Sequence, residues 1–310
     1  MTGEMAHHTF IPQYFDVFAG LDVDKTSISV TFMNHRETIR SIRIAHSAEH
    51  LLNYVRKRFT DQKVAFAYEA GPTGYGLHDK LTDQGYLCLV AAASMIPRAP
   101  GQRVKTNRLD SQKLCEALRG GQLKSIHVPS VSYRQLRHLT QLRDTFIRQV
   151  AANKCRIKAL LLFEGIAFPQ APPGSQWSTM VIGQLKQLSC PEAVRFKLDA
   201  LLRNLQFAQQ QALESMRQIR RFCHNDPELH RCIEYLRSIP GIGWIVASHL
   251  LARIGDWRQI QNVRQLSAFL GLVPTEHSTG ETVQRGSITR SGDSRIRSKL
   301  ERGQVACCPK

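Results

Sequence analysis

The chain has 310 residues, 42% of them hydrophobic, which is enough for more than one domain with a core of its own. Its 42 Lys and Arg residues exceed its 25 Asp and Glu residues, and the formal net charge of +17 predicts attraction to polyanions. No apolar run is as long as a bilayer requires, and residues 1–12 carry no signal-peptide pattern. We therefore expect a cytoplasmic protein that binds nucleic acid and no membrane.

The first part of the chain predicts a mixed α/β domain. Behind a leader, apolar runs and helical patterns follow one another in the order β-β-β-α-β-α-β-α. This order suits a mixed sheet with helices on its faces, and the ligand site of such a sheet lies where strand ends meet. The first strand delivers Asp22 to its end, and the chain then turns at Asp24 and Lys25.

Three acidic residues lie at the edges of predicted elements. Asp22 ends the first strand, Glu69 ends the apolar run 64–68, and Asp110 lies in the first turn of a helical pattern. One such acid is explained well enough as a turn former. Three of them can converge on a site for hard divalent cations, because Mg²⁺ in phosphoryl transfer needs anionic, rigidly placed oxygen ligands. We therefore expect Mg²⁺ to be bound by these three carboxylates.

From Tyr133 onward the sequence is helical. One apolar stripe runs from Leu136 to Leu161, and a second runs from Val194 to Ala208. The first stripe predicts either the core face of a helical hairpin or a coiled-coil seam between subunits. The arginines interleaved with it either contact nucleic acid or are simply solvated.

A glycine-containing turn marks the last region, which begins after residues 225–227. Gly241 and Gly243 flank Ile242 between two apolar helical patterns. Such a turn allows backbone amides to face a phosphate, which predicts a helix-hairpin-helix that binds the DNA backbone without reading its sequence. An ordinary tight turn between two helices is the alternative.

Six short motifs follow one another along residues 18–297. They occupy residues 20–25, 68–74, 105–111, 239–243, 268–274 and 276–280. In this order they resemble the bridge-RNA-guided DEDD transposases and recombinases of bacterial insertion sequences, which are relatives of the Piv DNA invertase. The resemblance implies a RuvC-like (RNase H-like) N-terminal domain, a helical coiled-coil insert, and a mainly α C-terminal domain with a helix-hairpin-helix-like motif.

The implied domain boundaries divide the chain into five parts. They are a flexible leader at 1–15, the RuvC-like DEDD domain at 16–130, a helical coiled-coil region at 131–225, the C-terminal transposase domain with the serine motif at 226–300, and a tail at 301–310.

The resemblance also implies chemistry and partners. The enzyme would cut and join donor and target DNA, guided by a structured bridge RNA, as a homo-oligomer of two or four subunits. Asp22, Glu69 and Asp110 match the metal-binding acids, and Ser278 matches the serine that attacks DNA once assembly brings it to them. Thr279 is the alternative nucleophile. The DNA phosphates would be held by a basic run of Arg285, Arg290, Arg295 and Arg297.

Two departures from the family pattern favour other interpretations. The third acid of the family falls at Asn107, which offers a metal only a neutral carbonyl oxygen. The stretch after residue 297 also lacks the further apolar helix of the relatives. An impaired or truncated copy that only binds nucleic acid is therefore one alternative, and a RuvC-like nuclease that works without the serine is another.

Overall fold

The computed structural model describes residues 10–95, 107–172, 174–276 and 284–305. Contacts within the chain divide it into two compact units, Met1–Val128 and Pro129–Lys310. None of the helices in the described ranges combines the length and the apolar character that a membrane span requires.

The first unit is built on a five-stranded sheet. Its elements are β1 (Val17–Val23), β2 (Ser27–Met33), β3 (Thr38–Ala45), α1 (Ala48–Arg58), β4 (Val64–Glu69), α2 (Gly76–Asp83), β5 (Leu87–Ala91) and α3 (Asn107–Arg119). The strand order is β3-β2-β1-β4-β5, with β1 antiparallel to β2 and parallel to β4. The predicted mixed α/β domain is confirmed, and the sheet fits a RuvC-like arrangement.

Helices cover both faces of this sheet. On one face, Leu51 of α1 and Leu81 of α2 pack with Phe32 and Phe66 of the strands. On the other face, Leu118 and its neighbours on α3 pack against β1 and β4. Because helices cover both faces of the sheet, β2 is buried along its whole length, and its polar residues Ser27, Ser29 and Thr31 are buried together with its apolar ones.

The leader predicted at 1–15 is described from residue 10. Pro12–Tyr14 form a single 3-10 turn, and Phe10 and Phe15 pack against the core beneath α3. The two phenyl rings contact each other with their centroids 5.5 Å apart.

The second unit is mostly helical. It contains α4 (Val131–Phe163), α5 (Thr179–Gln187), α6 (Glu192–Asn225), α7 (Pro227–Arg237), α8 (Trp244–Ile254), α9 (Val263–Leu270), β6 (Pro274–Glu276), β7 (Arg285–Ile288) and α10 (Ser294–Val305). The antiparallel pair β6–β7 was not anticipated, because strands of three and four residues are too short to show a periodicity. Helix α10 continues over residues 301–305, where the sequence predicts a tail.

The two long helices form an antiparallel hairpin. Ile157 near the end of α4 packs with Leu198 and Leu202 near the start of α6, and Leu185 of α5 completes this cluster. At the opposite end, Leu136 of α4 packs with Ile219 of α6. The two apolar stripes therefore pack against each other within one chain and form the core of the helical hairpin. A coiled-coil contact between subunits stays a prediction.

Candidate functional site

The carboxyl ends of β1 and β4 place two of the predicted acids side by side. Leu21 pairs with Tyr68 in the parallel ladder, so Asp22 and Glu69 follow on neighbouring strands. Asp22 also pairs with Ser29 of β2. Parallel strands end at the same edge of a sheet, and this edge therefore carries both carboxylates.

The same two acids share one face of the sheet. Leu21 and Tyr68 belong to the core under α1 and α2. Because successive side chains on a strand alternate between faces, Asp22 and Glu69 belong to the opposite face, where α3 packs. Asp22 is half-buried at this edge, whereas Glu69 is exposed.

Helix α3 lies directly on the backbone of β1. A β-carbon on Gly20 would stand 2.2 Å from the carbonyl oxygen of Ser111 and 2.4 Å from the amide nitrogen of Cys115. No side chain fits in this gap, so glycine is required by the close approach of the helix. The buried hydroxyls of Ser111 and Thr31 are 2.9 Å apart and tie the first turn of α3 to β2 as well.

The third acid, Asp110, is the residue before Ser111. It is half-buried in the first turn of α3, where an acid also complements the helix dipole. Asn107, at the family's third acid position, is the first residue of the same helix. Ser111 packs on Gly20, and Asp110 is the residue before Ser111. The start of α3, which carries Asp110, therefore lies against β1, which carries Asp22.

Metal binding by these acids is not established by the arrangement of side chains. Among the described residues, no group of three or more His, Cys, Asp and Glu side chains could hold a metal ion as it stands. The donor set itself suits Mg²⁺, because it consists of carboxylates at one edge and face of a rigid sheet. Convergence of Asp22, Glu69 and Asp110 on one metal therefore stays a prediction.

The side chain of Tyr68 holds the loop that follows Glu69. Its hydroxyl donates a 3.0 Å hydrogen bond to the carbonyl oxygen of Gly74, which has a φ of 70°. Burial raises the pKa of the Tyr68 phenol well above its ordinary value, so it stays a donor at any physiological pH. The far end of the loop that follows Glu69 is therefore tied to β4 through the Tyr68 side chain.

In the second unit, α7 and α8 are joined by the tight turn that the sequence predicts. Gly241 has a φ of 84°, which favours glycine, and the amide of Ile242 donates to the carbonyl of Ile239 at 3.1 Å. Gly243 caps α8, and a β-carbon there would meet nothing within 4 Å. The structure therefore contains two helices joined by a tight glycine turn, while the helix-hairpin-helix assignment and phosphate binding by Gly241 and Gly243 stay predictions.

The predicted basic run does not form one exposed surface. Arg285, Arg290 and Arg295 are exposed. Arg297 is only 8% exposed, and its guanidinium donates to the carbonyl oxygens of Leu270 at 2.8 Å and Arg290 at 3.3 Å. The structure thus gives Arg297 a different role from the predicted one: it fastens the chain between α9 and α10.

The predicted nucleophile Ser278 and its neighbour Thr279 lie outside the described residues. In sequence they fall between β6 and β7, which pair through Pro274 with Ile288 and Glu276 with Arg285. The choice between the two hydroxyls stays open.

The second unit contains a largely buried polar network that the sequence does not predict. The carboxylate of Asp144 on α4 accepts from His249 Nε2 on α8 at 3.1 Å and from Lys299 Nζ on α10 at 3.1 Å. Burial by itself would raise the pKa of the Asp144 carboxyl. The hydrogen bonds and positive charges of His249 and Lys299 outweigh burial and hold this pKa well below its usual range. The partners are 105 and 155 residues away in sequence, so no local pattern could reveal them.

Taken together, a mixed sheet with acids at the ends of two parallel strands and a helical second unit is typical of the DEDD class of transposases. A DEDD-type transposase family model matches residues 19–164, and the model of the transposase IS116/IS110/IS902 family matches residues 233–308. The chain belongs to this family, which confirms the resemblance found in its motifs.

Named relatives agree with this assignment. The y4qE protein of Sinorhizobium fredii, which is named as a transposase, is 31% identical over 94% of this chain and 71% of its own length. The transposase for insertion sequence element IS1533 of Leptospira borgpetersenii is 24% identical over 82% of this chain and 74% of its own length. The pilin gene-inverting protein of Moraxella bovis is 39% identical over 24% of this chain and 23% of its own length.

Proposed function

We propose that this protein is an RNA-guided DNA transposase or recombinase that cuts and joins strands of donor and target DNA. Two sets of groups carry the chemistry: the acids Asp22, Glu69 and Asp110, and the hydroxyl of Ser278. The observation that supports the proposal best is the placement of Asp22 and Glu69 at one edge and one face of the sheet, in a chain of this transposase family.

The acid site has the properties that phosphodiester chemistry requires. A divalent ion bound there would polarise phosphate oxygens and lower the pKa of an attacking hydroxyl. The protein supplies fixed placement, because the close packing of Ser111 on Gly20 and its hydrogen bond to Thr31 hold the start of α3 against the sheet. Glu69 is exposed at the sheet edge, so a DNA strand can approach it from solvent.

Ser278 is proposed as the nucleophile on the basis of the family motif. A serine hydroxyl attacking a phosphodiester would bond to phosphorus and release a 3′- or 5′-hydroxyl, which leaves the DNA covalently attached to the protein. Thr279 offers the same functional group one residue later, and the experiment below separates the two.

Charge supports the proposed nucleic-acid partners. With a net charge of +17, binding of guide RNA and of both DNA segments should release many counterions and weaken steeply with salt. Because two DNA segments must be held at once, we propose a dimer or tetramer as the working form.

A nucleic-acid-binding protein without strand transfer is the second candidate function. It is favoured by Asn107, since a neutral amide replaces the charged ligand that the family has at this position. Restoring the acid by Asn107→Asp should raise activity if the amide is the cause.

The test combines the protein with guide RNA and both DNA partners and measures the covalent protein–DNA adduct on a denaturing gel. Ser278→Ala should abolish the adduct, and Thr279→Ala and the exposed Ser287→Ala should retain it. Loss in Thr279→Ala alone would transfer the role to the threonine. No adduct in the unaltered protein, together with retained binding of all three nucleic acids, would favour the second candidate.

The acid site is tested separately by titrating Mn²⁺ in a calorimeter without nucleic acid. Asp22→Asn should lose the binding heat. Glu37→Gln is the matched control, because Glu37 is an exposed acid at the opposite edge of the same sheet. Equal binding in both variants would overturn the assignment of the metal site.

A further inference from the structure

Three helices of the second unit meet at Trp244, the first residue of α8. The guanidinium carbon of Arg220 on α6 lies 5.7 Å from the centroid of the indole ring, and that of Arg237 on α7 lies 5.1 Å from it. Both distances are within the range of cation–π contacts. Two positive charges are thus gathered on one aromatic side chain.

These arginines differ from ordinary solvated ones in how they are held. Stacking on an indole fixes the plane of a guanidinium while leaving its N–H groups free to point outward. Less conformational entropy is then lost when the group binds an anion. Trp244 is itself half-buried and packs against the core formed by α4, α6, α7 and α8, which limits the movement of the ring.

Both charges remain available to a ligand. Arg220 and Arg237 are exposed, and Arg220 has no carboxylate partner among the described residues. Arg237 pairs with Glu234 at 2.8 Å, but both side chains are over a third exposed, and such a surface pair exchanges readily.

The surface beside the pair is open. It contains the turn between α7 and α8, in which Gly243 has free space where a side chain would be. Tyr235 and Ile239 are exposed next to it at 70% and 49%. Backbone and apolar atoms beside two fixed cations can follow a polyanion more closely than long flexible side chains would allow.

We propose that Arg220 and Arg237, held by Trp244, form a docking point for the phosphate backbone of a nucleic acid. The arginines contact phosphate, and Trp244 is a positioning residue that touches no ligand. This inference rests on the proposed function only in that the partner is a nucleic acid; it requires neither Ser278 nor the acid site. The phosphate chemistry is shared by duplex DNA and structured RNA, and the test separates them.

The experiment measures fluorescence anisotropy of a labelled DNA duplex of unrelated sequence and of a labelled RNA hairpin over a series of KCl concentrations. Arg220→Ala/Arg237→Ala should weaken binding about 10-fold or more and reduce the salt slope by about 1.8, since each phosphate contact contributes about 0.9 on duplex DNA. Arg203→Ala/Arg217→Ala is the matched control, because it removes the same charge from exposed positions on α6. The control should weaken binding less than about 3-fold.

Trp244 is tested with two variants. Trp244→Leu keeps both charges but removes the ring, and it should weaken binding several-fold at nearly unchanged salt slope. Trp244→Phe retains an aromatic face and should restore most of the affinity. Thermal unfolding of both variants shows whether the fold is kept, and the two arginine pairs keep the docking proposal testable if the leucine variant unfolds.

The results distinguish the source of phosphate and the two proposals. A loss confined to one probe identifies DNA or RNA as the ligand, and a loss with both assigns the surface to either backbone. Equal losses in the two arginine pairs would overturn the docking point, because overall charge would then explain binding. A protein that shows the predicted losses yet forms no covalent adduct would refute strand transfer while leaving this inference intact.

Discussion

The carbonyl oxygen of Ser111 in α3 lies 2.2 Å from the position that a β-carbon on Gly20 in β1 would take, which is too close for any side chain. The contact joins the strand that carries Asp22 to the helix turn that carries Asp110. It explains why a glycine stands two residues before the acid of the first strand. The small size of Gly20 determines how closely α3 approaches β1.

Gly20→Ala should therefore destabilise the first unit by about 1–3 kcal/mol, the usual cost of overpacking a filled core. Urea unfolding followed by circular dichroism measures the change. Gly76→Ala is the control, because a β-carbon there would meet nothing within 4 Å at the start of α2. Equal stability of the two variants would contradict the account of the Gly20 contact.

The Asp144 carboxylate should make the second unit sensitive to acid. Its pKa in the folded protein is lowered, so the folded state binds this proton less readily than the unfolded chain. The resulting stability is present above the unfolded pKa of about 3.9 and is lost as the pH falls below it. The midpoint of urea unfolding should consequently drop between about pH 4 and pH 2.

Asp144→Asn tests the same network at neutral pH. It leaves His249 and Lys299 without their buried carboxylate, which typically costs about 3–5 kcal/mol. The variant should also lose the part of the acid dependence that Asp144 contributes. Glu234→Gln, which breaks an exposed pair on α7, should change neither quantity appreciably.

The hairpin of α4 and α6 should depend on its buried leucines. Leu198 is fully buried between α4, α5 and α6, and Leu198→Ala should cost about 2–5 kcal/mol through lost burial and a residual cavity. Leu213→Ala makes the same change on the same helix at a position that is 63% exposed. If the exposed variant unfolds as readily as the buried one, the core assignment is wrong.

Alanine substitutions of Arg295 and Arg297 should have different effects on stability and on nucleic-acid binding, although the two residues are close in sequence. Arg297→Ala removes buried hydrogen bonds to Leu270 and Arg290 and should lower the unfolding midpoint. Arg295→Ala, at an exposed position, should leave stability unchanged and weaken nucleic-acid binding. Thermal unfolding and anisotropy on the same preparations check both; a stable Arg297→Ala protein would refute the fastening role.

The order of elements in the first unit was readable from the sequence, because helices and strands impose periods of 3.6 and 2 on neighbouring residues. The same local signals located Asp22 and Glu69 at strand ends and the apolar stripes on α4 and α6. The sequence did not predict α5, since a proline-rich stretch at residues 168–174 precedes it and obscures a helix of nine residues. The sequence did not predict the pair β6–β7 either, because strands of three and four residues are too short to show a periodicity.

Only the tertiary structure decided which of these residues meet. Parallel pairing of β1 with β4 put Asp22 and Glu69 side by side, and the approach of α3 gave Gly20 its role. Arg297, predicted to bind phosphate, is buried and donates to a backbone carbonyl instead. Trp244 contacts two arginines from two other helices. Such contacts join residues tens of positions apart, and their energies depend on shared burial and dielectric environment, which no local stretch of sequence records.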